Sequence, residues 1–178
     1  VREDSQALIT WLNNHNIETI MLTGDTRFTA EKIGESLGIK QIIAETLPQV
    51  KAEKIRDLRE TYPNIVMVGD GINDAPALAN ATIGIALGSG TDVAIETADM
   101  ILVNNRVSSI RYIYELSQKL RKIIIQNVIF SVAVILLLVV SNLFGYMTLP
   151  IGVVGHEGST ILVIINSLRM LRLKGHED

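Results

Sequence analysis

From Ile123 to Gly145 the chain runs for 23 residues without a charged side chain. About 20 apolar helical residues cross a hydrocarbon core of about 30 Å, so 123–145 is expected to span a membrane. A short connection, 146–150, leads to a second candidate span at 151–171, apolar except near its middle. Lys119, Arg121 and Lys122 precede the first span, and Arg169, Arg172 and Lys174 close the second. Basic residues collect on the cytosolic side of membranes. The reading is therefore a hairpin in the cell membrane, a multi-pass arrangement with 1–122 and the tail 172–178 in the cytosol. The competing reading, a buried helical hairpin of a soluble protein, does not need so long an uncharged run.

Residues 1 to about 105 read differently. Short β-rich runs at Ile17–Leu22, Gln41–Ala44, Asn64–Val68, Ile83–Leu87 and Met100–Val103 alternate with helical patterns. Ile33 and Leu37 lie four apart before Gly38, a helix stop; Pro48 opens a helix carrying Ile55 and Leu58; Asp92–Thr97 is a third helix. Such alternation predicts an α/β fold, a mostly parallel sheet with helices on both faces. Residues 106–122 then form an amphipathic connecting helix, with Ile110, Ile113, Leu116 and Leu120 at helical spacing.

Composition removes several classes. Apolar residues at 48% and charged residues at 20% argue against disorder. A net charge of −3 gives no basis for nucleic-acid binding. With no cysteine, the stretch has neither a disulfide nor a thiolate ligand or nucleophile. It starts at Val1 with no signal-peptide pattern, so it is expected to be a piece of a longer polypeptide.

Gly69-Asp70-Gly71-Ile72-Asn73-Asp74 carries the clearest chemistry. It comes after a buried strand, at the carboxyl end where open α/β sheets bind ligands. The glycines, Gly71 included, permit a tight backbone there. Asp70 and Asp74 supply two carboxylates; with a phosphate oxygen and waters they suit octahedral Mg²⁺. Asp74 is also placed to cap the next helix. The bland alternative is an Asp-rich turn with a helix cap. Thr23-Gly24-Asp25 ends another strand, where a hydroxyl and free N–H groups can hold a phosphoryl group, although such a tripeptide also makes ordinary turns. Lys51, three residues after Pro48, can neutralise phosphate charge. Read instead as a solvated lysine, it would contribute little to folding, within about 0.5 kcal/mol.

Together, TGD at 23–25, the Pro48–Lys51 spacing, GDGINDAPAL at 69–78 and GIALGSGTDVA at 84–94 resemble the phosphorylation domain of P-type ATPases, a haloacid-dehalogenase-like fold. The resemblance covers nearly the whole chain, with the two spans standing where that family has its last membrane helices. It implies that 1–105 is part of the cytosolic phosphorylation domain. It implies that Asp70 and Asp74 hold Mg²⁺, that Thr23 and Asn73 contact the phosphoryl group, that Lys51 balances its charge, and that Gly24 and Asp25 shape the loop. ATP is then bound mainly by a domain outside this chain. The family's nucleophilic Asp lies in a DKTGT motif that is absent here, so the fragment alone is not expected to hydrolyse ATP through an aspartyl phosphate.

The second span contains Gly155-His156-Glu157-Gly158-Ser159-Thr160. A carboxylate and an imidazole at bilayer depth are functional suspects. Imidazole nitrogen with carboxylate and hydroxyl oxygen suits Zn²⁺, Co²⁺ or Fe²⁺, with Thr160 as a possible third ligand. Gly152, Gly155 and Gly158 would admit a neighbouring helix or let this one unwind. Two plainer readings are an ion pair that only fastens helices and a loop outside the bilayer. HEGST followed by ILVIINSLRML resembles the last helix of heavy-metal P-type ATPases, closest to the branch with a His-Glu-Gly signature. That implies an exporter of divalent Zn/Co/Fe-type ions, whose partners are the lipid bilayer, the transported ion and the remaining domains of the same pump. The alternatives are a membrane-anchored phosphatase of the same fold and a non-catalytic truncated chain. His15 reads as a surface or turn residue, His176 as part of a polar tail, and Asn127 and Asn142 as groups that bond across helices.

Overall fold

Proline and glycine positions punctuate the first part of the chain into short alternating elements. The computed structural model describes residues 2–70 and 72–172; the expectations for Gly71, Lys174 and His176 fall outside the described residues. In order, the elements are α1 (Ser5–Asn14), β1 (Ile20–Leu22), α2 (Arg27–Leu37), β2 (Gln41–Ile43), α3 (Pro48–Thr61), β3 (Val66–Gly69), a 3-10 turn (Ile72–Asp74), α4 (Ala75–Asn80), β4 (Ile83–Leu87), α5 (Asp92–Thr97) and β5 (Met100–Leu102). Two long helices follow, α6 (Ser109–Leu143) and α7 (Leu149–Ser167), and a 3-10 turn (Leu168–Arg172) ends the order. The chain divides into two units, 1–111 and 112–178.

In the first unit every strand pairing among the described residues is parallel. β1 pairs with β2, and β4 lies between β3 and β5. Parallel strands need crossover connections, which the intervening helices supply. The core joins Ile55 of α3, Met67 of β3, Ala77 and Leu78 of α4 and Ala94 of α5, with Leu22 of β1 packed against them. Gly38 ends α2 as expected: it adopts φ 76° and donates to Glu35 O, while Ile39 N–H returns to Gly34 O. Glycine reaches that conformation without steric penalty. No element is expected before Ile17 from the sequence, yet Ser5–Asn14 form α1 with Leu8 buried. His15 is exposed at its end and stacks on Trp11, ring centroids 4.0 Å apart.

In the second unit the structure departs from the expected subdivision. Residues 106–122 and 123–145 do not form separate helices; one helix runs from Ser109 to Leu143. The reason is local: no glycine or proline occurs between those ends, so nothing breaks the hydrogen-bond ladder. Thirty-five residues rise about 52 Å, more than a hydrocarbon core needs, so the charged amino-terminal part has length to lie outside it. The helix stops at Gly145 (φ 74°), where Gly145 N–H meets Asn142 O and Tyr146 N–H meets Ser141 O. Only Ile123 of α6 and no residue of α7 is buried. A core helix of a soluble protein would bury a stripe; helices apolar all round and this exposed fit a bilayer or further helices.

α6 and α7 meet through Gly155, where an added Cβ would lie 2.9 Å from Leu138. The expected glycine set is thus split. Gly155 packs against α6, Gly158 faces open space, and Gly152 lies under the Met147 sulfur.

Candidate functional site

β3 ends at the buried Gly69, and the lack of a side chain there makes room for the next turn. A Cβ on Gly69 would stand 2.7 Å from Asp74 Cβ and 3.0 Å from its Oδ2, so Asp74 folds back over the strand end. Asp74 occupies the N-cap position of α4 but its carboxylate makes no capping bond. This corrects the expected cap. The preceding 3-10 turn already runs a helical backbone through Asp74 (φ −97°, ψ −16°), and the side chain turns instead to Lys51 Nζ at 2.6 Å. Both side chains are only 14% exposed. Lys51 is therefore not a solvated surface lysine. It sits in the first turn of α3, which Pro48 opens with its φ already suited to a helix.

The loop after β1 is closed by its own side chains. Thr23 Oγ1 donates to Asp25 Oδ2 (3.0 Å) and accepts from Asp25 N–H (3.1 Å). Across the sheet end, Thr46 N–H donates to Thr23 O and Glu45 N–H donates to Asp25 O. A cleft of about 320 Å³ opens beside this loop, lined by Gly24, Glu45, Thr46, Pro48, Lys51 and Asn73. The structure thus brings Gly24, Lys51 and Asn73 together, with Asp74 joined through the ion pair. Thr23 and Asp25 stand behind Gly24 and do not line the cleft. Asp70 is exposed and does not line it either; its carbonyl accepts from Thr91 N–H at 3.2 Å. Glu45 and Thr46 carry no expectation from the sequence. Glu45 adopts φ 55°, and Thr46 is buried at 6% exposure with its hydroxyl on the carbonyls of Ile43 and Ala44. The only sequence signal for them is their place between a strand and Pro48.

Chemically, an ammonium and a side-chain amide around a cleft at strand ends suit a phosphoryl-sized anion. Asp74 keeps Oδ2 outside its ion pair and Asp70 stands exposed at the same strand end, so the segment offers two carboxylates of the kind Mg²⁺ takes, though only Asp74 is joined to the cleft. Magnesium is commonly bound by one or two carboxylates completed by waters and phosphate oxygens. Among the described residues no cluster of three or more His, Cys, Asp or Glu side chains forms an all-protein metal cage.

On the hairpin, His156 and Glu157 stand within two residues of the centre of α7 and are exposed. They line a second cleft, about 460 Å³, together with Asn142, Met147, Thr148 and Gly152. Thr160 does not line it. Its hydroxyl and that of Ser159 both donate to the carbonyl of His156. Farther along, Asn127 bonds to Asn166 (2.8 Å) and Ser167 (2.9 Å), which realises the expected cross-helix role of Asn127.

Comparison with known proteins places these features together. The haloacid dehalogenase-like hydrolase family matches residues 1–82. A zinc-transporting ATPase of Bacillus subtilis is 50% identical over 172 residues, covering 97% of this chain and 27% of that protein. A probable cadmium-transporting ATPase of Listeria monocytogenes is 44% identical over 98% of this chain and 25% of its own length. The crystal structure of a zinc-transporting PIB-type ATPase in its E2.Pi state superposes with a TM-score of 0.91 at 39% identity, covering 97% of this chain and 28% of that one. The chain spans about a quarter of the length of these relatives. Its parallel sheets and helices are haloacid-dehalogenase-like, with two long apolar helices after them. Likeness at this level runs through both the α/β unit and the hairpin: over nearly its whole length the chain is similar to P-type ATPases that transport zinc or cadmium.

Proposed function

We propose that this chain is the carboxyl-terminal part of an ATP-driven exporter of divalent Zn/Co/Fe-type cations, joining the end of the phosphorylation domain to the last two membrane helices. The observation that carries the reading is 50% identity to a zinc-transporting ATPase across 97% of the chain. In this reading 1–105 belong to the cytosolic domain, 106–122 are the cytosolic connecting segment that includes the start of α6, 123–145 and 151–171 cross the membrane around the loop 146–150, and 172–178 return to the cytosol. Basic residues at both outer ends support that orientation.

ATP, bound mainly by a domain outside this chain, phosphorylates an Asp that also lies outside it. Asp70 and Asp74 would hold Mg²⁺, which supplies divalent charge to offset that of the phosphoryl group. Lys51 adds a positive charge fixed by its bond to Asp74, with donors left for phosphoryl oxygens. Asn73 and Thr23 contact the phosphoryl group. To donate to it, the Thr23 hydroxyl must turn away from Asp25, so Asp25 sets the resting direction of that proton. Gly24 keeps the cleft wall low. In the membrane, His156 and Glu157 bind the transported ion, with Thr160 able to join once its hydroxyl leaves the His156 carbonyl.

The test is His156→Ala and Glu157→Ala in the full-length pump. Coupling requires the ion to bind one access state better than the other. Apparent metal affinity in stimulated ATPase assays is expected to fall at least about 10–100-fold, the scale of disturbing a metal site. Phosphorylation from inorganic phosphate, which needs no transported metal, should survive. Full stimulation of both variants by Zn²⁺, Co²⁺ and Fe²⁺ would leave the pair only structural.

A further inference from the structure

A chain of short contacts leads from Asp70 to the start of α6, and none of its middle members belongs to the sites described above. At one end Thr91 N–H donates to the Asp70 carbonyl at 3.2 Å. Gly90 lies so close that a Cβ there would stand 2.9 Å from the same oxygen. At the other end of this four-residue loop, Gly88 N–H donates to Leu102 O at 2.9 Å, and a Cβ on Gly88 would stand 2.8 Å from Val103 O. Between them Ser89 N–H donates to Asn105 Oδ1 at 2.7 Å. The loop 88–91 is thus in contact on both flanks, with the Asp70 carbonyl on one side and the end of β5 on the other.

Asn105 gathers the next contacts. It holds a left-handed turn (φ 56°), a conformation Asn tolerates better than most residues. Its N–H donates to Leu102 O, and its carbonyl accepts from Arg2 Nη1 at 2.9 Å. Ser109, four residues on, begins α6. The same root is held by α1: Ser108 N–H donates to Asp4 Oδ2 at 2.9 Å, and the Arg111 guanidinium lies 5.5 Å from the Trp11 ring centre. From there one helix without glycine or proline runs to Leu143.

We propose that Asn105, through Ser89 and the loop 88–91, is a positioning residue that couples occupation of the phosphate and magnesium side to the root of the membrane-crossing helix α6. This rests on the transport reading above. Asn105 touches neither phosphate nor transported ion; it acts by making the Asp70 backbone and the α6 root move as one piece. The bond from Ser89 is the joint, and α1 holds the far side so that displacement at Asp70 is passed into α6 rather than absorbed by its first turn.

The experiment measures equilibrium binding of orthovanadate, a phosphate analogue, to the full-length pump with Mg²⁺, with and without Zn²⁺, Cd²⁺ or Co²⁺. Coupling between two binding sites is reciprocal, so the metal-induced shift in orthovanadate affinity reads it directly. Asn105→Gly keeps the left-handed turn and removes the acceptor; Asn105→Asp keeps both. Asn105→Gly is expected to shrink the shift about fivefold or more while orthovanadate still binds in the absence of transported metal, and Asn105→Asp to preserve the shift. A shift within twofold of the unmodified pump in Asn105→Gly overturns the proposal. So does equal loss in both variants, or loss of orthovanadate binding altogether, since either marks a general structural role. An unmodified pump whose orthovanadate affinity ignores all three metals overturns the transport reading itself, and the relay with it.

Discussion

Lys51 and Asp74 meet at 2.6 Å with each side chain 14% exposed, whereas His156 and Glu157 stand exposed on α7 and, among the described residues, take part in no ion pair. The first pair joins residues 23 apart in sequence, because the loops after β2 and β3, strands of two separate parallel sheets, meet around one cleft. A helical hairpin has no such convergence. It offers two faces, and α6 contributes only Asn142 to the cleft that His156 and Glu157 line. Ionisable groups at bilayer depth need partners or water. The α/β side can therefore finish much of its polar cleft from its own residues, and on the proposed transport reading the membrane side takes its remaining ligands from other helices. That agrees with a chain spanning about a quarter of its relatives' length.

The largest expected effect tests the self-contained side. Asp70→Asn or Asp74→Asn in the full-length pump should lower Mg²⁺-dependent phosphoenzyme formation from ATP by about 10²–10³-fold, the scale of removing one group that stabilises transition-state charge. The two variants should differ in stability. Asp70 is exposed and its loss should leave the melting temperature unchanged, whereas Asp74→Asn strands the Lys51 ammonium. Near-normal phosphorylation with unchanged Mg²⁺ dependence in both would remove the magnesium assignment and with it one half of the contrast.

A smaller effect tests whether the ion pair belongs to the fold as well as to the chemistry. Lys51→Ala should lower unfolding stability by about 1–3 kcal/mol, because a mostly buried carboxylate loses its partner. This replaces the figure of about 0.5 kcal/mol that suits a solvated lysine. A double-mutant cycle with Asp74→Asn isolates the pairwise part. If Lys51→Ala melts with the unmodified protein and the cycle shows no coupling, the α/β side is no more finished than the hairpin.

Legibility in the sequence divides along the same line, between local and convergent features. Gly38 ends α2, Pro48 starts α3, and the bounds of β4 and α5 match the expected ones, because turn and cap chemistry is written in adjacent residues. The candidate site residues are legible as motifs at strand ends. Their partners are not. A cap on its own helix is the natural expectation for Asp74 from its neighbours, but the fold offers it Lys51, and a closer cation outcompetes a backbone N–H. Glu45 and Thr46 reach the cleft only because β2 lies beside β1. The sequence divides the single long helix α6 in two because hydropathy changes near Lys122, and hydropathy reports surroundings rather than backbone continuity. α1 stands between polar runs although it carries Leu8, Trp11 and Leu12 at helical spacing, and it lies beside α2.

The smallest effect concerns how firmly the hairpin holds itself. Asn127 and Asn166 bond at 2.8 Å, Asn166 accepts from Arg169 at 2.9 Å, and Asn127 also reaches Ser167. Polar bonds between membrane helices contribute modestly, about 0.6 kcal/mol on average and about 1.7 at most, since the unassembled helices find other partners. Asn127→Leu should therefore destabilise the full-length protein by about 0.6 kcal/mol in reversible unfolding in mixed micelles, below the loss expected for Lys51→Ala. A double-mutant cycle with Asn166→Leu should give a coupling under about 1.7 kcal/mol. A coupling well above that would show α6 and α7 locked together as tightly as Lys51 and Asp74 are. The hairpin would then be a finished unit, and the exposure of His156 and Glu157 could no longer be explained by helices still to be added. On the proposed transport reading, the remaining metal ligands would then be waters in the cleft beside Asn142 rather than groups of neighbouring helices.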